Sequence, residues 1–196
     1  MYEVVSLYIS LLPVIVAGVV NAAFCHSKIF AFADKPIDDD KKFVDGRRIF
    51  GDSKTVKGFA GYVLFSMIFT VVWGFICAAT PYLESHNFFY ATHANSVMFN
   101  LWIGFLLGFA WALFELPNSF LKRRLNIKSS QGATGAKGVI FAILDQADSI
   151  FGVVLVIAIF YPISVMWYFA FVAIGAATHL LFNFLLFAMK LRKRPV

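Results

Sequence analysis

The sequence predicts an all-α integral membrane protein with five transmembrane helices, and three observations lead there. Of its 196 residues, 60% are hydrophobic and 14% charged, whereas a soluble globular domain averages about 45–50% and about 25%. Five stretches are apolar over roughly the 20 residues a helix needs to cross the hydrocarbon core. The Lys and Arg residues fall only in alternate connections between these stretches, the asymmetry expected of a cytoplasmic face. At this length the chain reads as one membrane-embedded domain, 1–196.

The first span covers about residues 4–24. Its flank, Met1-Tyr2-Glu3, carries no basic residue, and the run is too long for the apolar part of a signal peptide, so it is expected to stay in the membrane. The second covers about 59–79. The third covers about 97–116 and is expected to stop at Pro117. The fourth, about 149–163, is short unless its first turn begins near Leu144, which would draw Asp145 and Asp148 into the helix. The fifth covers about 165–189. Between spans one and two lie Lys28, Lys35, Lys41, Lys42, Arg47, Arg48, Lys54 and Lys57; between three and four lie Lys122, Arg123, Arg124, Lys128 and Lys137; Lys190, Arg192, Lys193 and Arg194 follow span five. These are all 17 basic residues. Five spans place them on one side, with the N-terminus outside, the C-terminus cytoplasmic, and two long cytoplasmic loops at about 25–58 and 117–144. Four or six spans would scatter them.

The net charge of +6 therefore reads as membrane orientation and attraction for phosphates, not as nucleic-acid binding. Cys25 and Cys77 fall in apolar runs without metal or redox spacing, as small packing residues. The glycines of the spans suit close helix packing. His26, His86, His93 and His179 pair with no second ligand at metal spacing and carry no assigned role.

The strongest chemical signal is "ILDQADS", residues 143–149, where Asp145 and Asp148 share a helix face. An acid inside a span is costly and marks function by default, and two on one face call for a cation between them. Oxygen ligands suit Mg²⁺, and a structural salt bridge to Lys or Arg is the alternative. Glu115 is a third acid; Ser119 and Lys122 follow it at four and seven positions, on the same face if the helix tolerates Pro117. In "DGRRIFGDSKTVKG", residues 45–58, Gly46, Gly51 and Gly58 allow tight turns. Arg47, Arg48, Lys54 and Lys57 there suit phosphate oxygens. "GDSKT" is not a P-loop, because its glycine spacing is wrong and no strand precedes it. Asp38, Asp39 and Asp40 read as a solvated charge run, with cation binding the disfavoured alternative because consecutive acids do not face one way.

"PID" at residues 36–38, "DGRRIFGDSKTVKG", "SFLKRR" at 119–124 and "LDQAD" at 144–148 together resemble the CDP-archaeol synthase family, itself similar to the C-terminal part of phosphatidate cytidylyltransferases. Ser53 and Lys57 stand where that family keeps glycine and arginine, Glu115 stands where it has aspartate, and the segment before "LDQ" is longer. The resemblance implies transfer of CMP from CTP to a membrane lipid phosphate, most simply an isoprenoid-ether glyceryl phosphate, at the cytoplasmic face of the plasma membrane. It implies Asp145, Asp148, Lys122 and Arg123 as catalytic, and Asp145, Asp148 and Glu115 as ligands of Mg²⁺. Arg47, Arg48, Gly51, Asp52, Lys54, Thr55, Lys57, Ser119, Arg124 and Gln146 would bind substrate, and a homodimer is an open assembly. Phosphatidate as acceptor is one alternative. The other is a small transporter with an intramembrane ion site, disfavoured because the acids lie toward span ends and no repeat is present.

Overall fold

The computed structural model describes residues 2–127 and 135–188. Six α-helices follow one another: α1 (Tyr2–His26), α2 (Val56–Ala78), α3 (Pro81–Ser85), α4 (Val97–Arg124), α5 (Gly135–Phe160) and α6 (Val165–Ala188), with one 3-10 turn at Ala31–Ala33. All but α3 are long and apolar enough to cross a membrane, so the five expected spans are present, and the described residues contain no strand. Lys128, Lys190, Arg192, Lys193 and Arg194, the side chain of Lys137, and residues 128–134 of the long segment before "LDQ" lie outside the described residues.

Two spans run further than expected. α4 passes through Pro117 and ends only after the basic triplet. A proline deletes one backbone donor, a loss that a packed span tolerates. The helix stops at Leu125, where Asn126 turns left-handed (φ 60°). There the Asn126 N–H donates to the Arg123 carbonyl at 3.2 Å, and the Ile127 N–H to that of Lys122 at 2.9 Å. This is the Schellman pattern that closes helix C-termini. α5 begins at Gly135, so Asp145 and Asp148 lie well inside it. Much of the stretch expected as the second loop is therefore helical, and its expected site residues sit on α4 and α5.

α2 packs chiefly on α4 and α1, α4 on α5, and α5 on α6. Lipid gives apolar helices no hydrophobic reason to associate, so small residues and close backbone approach supply the contact. A Cβ on Gly104 would lie 2.6 Å from Met67 Cα, and one on Gly152 would lie 2.6 Å from the Ala110 carbonyl oxygen. Leu7, Ile103, Leu107, Val153, Val154, Ile157 and Phe171 fill the centre. At one end the α3 connection folds inward: Phe88 and Phe89 are buried, and the Phe88 N–H donates to Ser10 Oγ at 2.9 Å. The N-terminus of α1 meets this end through Tyr2, whose hydroxyl donates to the Ser85 carbonyl. The opposite end carries the loop between α1 and α2 and the basic tip of α4; it is called the basic end below.

Candidate active site

Asp38 organises the loop at the basic end. It accepts from Arg48 Nη2 at 2.6 Å, from the Phe50 N–H at 2.8 Å and from the Gly51 N–H at 2.9 Å. Its carboxylate is fully enclosed, which corrects the expectation of a solvated acidic run for this member; Asp39 and Asp40 do stay exposed. Burial alone would raise the Asp38 carboxyl, but Arg48 and the two amides outweigh it and bring the pKa down to about 2. Gly46 and Gly51 occupy left-handed backbone (φ 76° and 92°), whereas Ser53 does not. Serine at that position is therefore conformationally free, and only the family resemblance, not the backbone, asks for glycine there.

Beneath this loop the acids form a chain with a cation at each end. Lys54 Nζ pairs with Glu115 Oε2. Glu115 Oε1 accepts from Trp111 Nε1 at 2.9 Å and from Ser149 Oγ at 3.3 Å. Ser149 Oγ also lies 3.1 Å from Asp148 Oδ1. Asn118 Nδ2 then bridges Asp148 Oδ2 at 2.9 Å and Asp145 Oδ1 at 2.6 Å. Lys122 Nζ closes the chain at 2.5 Å from Asp145 Oδ2. Three carboxylates face two ammonium groups, and among the described residues Asp148 is held by Asn118 and Ser149. Burial opposes a charge on Lys54, but Glu115 overrides it and keeps the ammonium pKa above its ordinary value.

Helical spacing explains the assembly. Asn118 is three residues after Glu115 and four before Lys122, and Ser149 is four after Asp145, so all point to one seam between α4 and α5. The sequence reading placed Ser119 on that face. Ser119 is buried, and its neighbour Asn118 reaches the acids. Asn118 and Ser149 were legible as polar residues within the same helical repeats. Trp111 was not, because an indole in a span reads as interface packing.

Several expected substrate-binding residues have structural partners instead. Arg48 is engaged by Asp38, Asp40 and Asp52, because the loop folds back on its own acids. Lys57 is buried, with Nζ donating to the Ser27 carbonyl at 2.7 Å, where it caps α1. Gln146 is turned away from the acids and accepts from Asn183 Nδ2 at 2.7 Å, joining α5 to α6. Thr55 caps α2, its Oγ1 accepting from the Gly58 N–H at 3.1 Å. Arg124 docks the loop on α4: Nη1 lies 2.9 Å from Asp45 Oδ1, the guanidinium sits over the rings of Phe43 and Phe120, and its own carbonyl accepts from Arg47 Nη1. Asp52 is exposed. Arg123 has no ion pair among the described residues, and its Nε is buried without a partner.

As metal ligands the three acids do not converge: among the described residues no group of three or more His, Cys, Asp or Glu is placed to hold an ion. Glu115 is spent on Lys54 and Trp111. Asp145 and Asp148, both bridged by Asn118 Nδ2, nonetheless form a pair of neighbouring hard oxygen donors. Two such carboxylates suit a divalent cation such as Mg²⁺ that keeps several of its waters.

A cavity of about 610 Å³ opens beside the acid chain. Leu7, Leu11, Val14, Ile15 and Val19 of α1 form one wall; Tyr62, Ile150 and Val153 lie opposite; Ser53, Lys54, Thr55 and Glu115 form its head at the basic end. Across its side, the hydroxyls of Tyr8 and Thr178 are 2.7 Å apart. Charged, hydrogen-bonded groups thus cap an apolar chamber inside a five-span bundle.

Fold and site together define a polytopic membrane protein with a polar centre at the head of an apolar cavity. Over residues 1–196 the sequence matches the family model described as CarS-like CDP-archaeol synthase, and the chain belongs to that family. It is similar to the CDP-archaeol synthase of Pyrobaculum aerophilum, at 29% identity over 82% of this chain and 81% of that one. The Pyrobaculum islandicum relative is 32% identical over the same shares, and that of Pyrococcus furiosus is 40% identical over 51% of this chain and 52% of its own. A solved intramembrane enzyme for archaeal membrane lipids biosynthesis shares the fold with a TM-score of 0.60 and 21% identity, covering 90% of this chain and 91% of that one.

Proposed function

We propose that the chain transfers CMP from CTP to an archaeal isoprenoid-ether glyceryl phosphate, at the cytoplasmic face of the plasma membrane and with Mg²⁺ at Asp145 and Asp148. Family membership supports the reaction. The observation that carries the site is the Lys54–Glu115–Ser149–Asp148–Asn118–Asp145–Lys122 chain at the head of an apolar cavity. An oxygen of the lipid phosphate attacks the α-phosphorus of CTP. The new P–O bond forms as the bond from the α-phosphorus to the β-phosphate oxygen breaks, and pyrophosphate leaves. The protein has little covalent chemistry to perform, so positioning and charge supply the rate. Mg²⁺ when bound neutralises charge on the phosphates.

Asp145 and Asp148 would hold the cation, and Asn118 fixes their relative orientation. Lys122 and Arg123 stand in the last turn of α4 and suit the triphosphate, Arg123 because its guanidinium has no acidic partner among the described residues. The cavity suits the hydrocarbon of the acceptor, whose phosphate then meets the nucleotide at the membrane surface. The basic end faces the cytoplasm because every described Lys and Arg lies there, and CTP is a cytosolic solute.

Purified protein given CTP, Mg²⁺ and an archaeal ether-lipid phosphate is expected to release pyrophosphate, and Asp148→Asn to abolish release. Phosphatidate run in parallel tests the alternative acceptor. No pyrophosphate from any lipid phosphate would overturn the proposal.

A further inference from the structure

We infer that Lys54 receives the phosphate of the lipid acceptor, and that Glu115 is the counter-ion this phosphate displaces. The assignment rests on the cytidylyltransferase reading and divides its cations into a lipid set and a nucleotide set.

Among the described residues lining the cavity, Lys54 is the one Lys or Arg, and Glu115 is the one acid; Asp145, Asp148, Lys122 and Arg123 do not line it. The cavity therefore meets the acid chain at its Lys54 end. It follows α1 from Leu7 to Cys25, a rise of about 27 Å at ~1.5 Å per residue step. That is close to the ~30 Å of a hydrocarbon core. A lipid chain lying along it places its headgroup at Lys54, at the boundary of α2 and the polar loop.

The other cations near this head are committed. Lys57 caps the end of α1, Arg48 sits among three carboxylates, and Arg124 is bound to Asp45. Lys54 is held by one exchangeable partner. A phosphate monoester carries more charge than a carboxylate, and an ammonium binds it as a point charge without demanding one geometry. Glu115 can release Lys54 without being stranded, because Trp111 Nε1 and Ser149 Oγ remain on its Oε1. The acceptor phosphate at Lys54 and the triphosphate at Lys122 and Arg123 then approach each other across Ser149, Asp148 and Asn118.

The test uses the full chain in detergent micelles. The probes are a short-chain dialkylglyceryl phosphate, the matching dialkylglycerol that lacks phosphate, and CTP with Mg²⁺. In the wild type, the phosphate lipid should protect against thermal unfolding more than the alcohol does. Lys54→Met is expected to erase that difference and to raise the lipid KM by about 10-fold or more, the worth of one hydrogen bond to a charged group, with CTP affinity unchanged. A fall in CTP affinity, alone or together with lipid affinity, overturns the assignment, as does an unchanged lipid KM. If Lys54→Met does not fold, Glu115→Gln gives the second reading: removal of the competitor should strengthen protection by the phosphate lipid, and unchanged or weaker protection overturns the exchange. No phosphate-dependent protection in the wild type would refute the cytidylyltransferase reading, and the Lys54 assignment with it.

Discussion

Replacing Asp38 by Asn should loosen the polar loop without disturbing the helices. The Asp38 carboxylate is fully enclosed and takes two hydrogen bonds from Arg48 and two from backbone amides. Its pKa, brought from an ordinary 3.8 to about 2, corresponds to a preference on the order of 2 kcal/mol for the ionised form in the folded loop. Asparagine keeps an acceptor oxygen but imitates the protonated acid, so most of that preference is lost. By the relation of ~1.4 kcal/mol per tenfold, the opened loop becomes more populated by up to roughly 30-fold. Limited trypsin digestion after Arg47 and Arg48 measures this when cleavage is slow relative to reclosing. Asp39→Asn, at an exposed neighbour, should cleave at the wild-type rate. Equal cleavage of Asp38→Asn and wild type would refute the role given to Asp38. The pH dependence has a fixed sign: a depressed carboxyl stabilises above its unfolded pKa, and that stability drains away as the pH falls toward the folded value. Wild-type loop protection, followed with pepsin, should therefore fade between about pH 4 and pH 2.

Two further substitutions test the scaffold. Lys57→Met removes the ammonium that caps α1 through the Ser27 carbonyl; it should cost about 1–3 kcal/mol, read as a lower unfolding midpoint, while Lys57→Arg restores stability and CTP affinity is unaffected by either. Gly104→Ala places a methyl 2.6 Å from Met67 Cα; α2 and α4 must part, at about 1–3 kcal/mol, and thermal unfolding should register that loss.

The five spans were legible because a helix in lipid must satisfy its own backbone and present apolar side chains over a known length. Asp145, Asp148, Glu115 and Lys122 were legible for the same reason, since ionised groups at such positions are too costly to be incidental. The boundaries were less so. Pro117 read as a stop, yet surrounding packing carried α4 on to Arg124 and turned an expected loop into a rigid arm.

Basic residues on one side all resemble phosphate ligands when only their order is known. Residue types and helical spacing determined the membrane class, the topology and the seam of acids. Only the folded chain decided which cations remain for substrate, because a cation's availability depends on what lies within about 3 Å of it. The loop closes Arg48 on Asp38, the α1–α2 junction closes Lys57 on a helix end, and the meeting of loop with α4 leaves Lys54 opposite Glu115 at the mouth of the cavity.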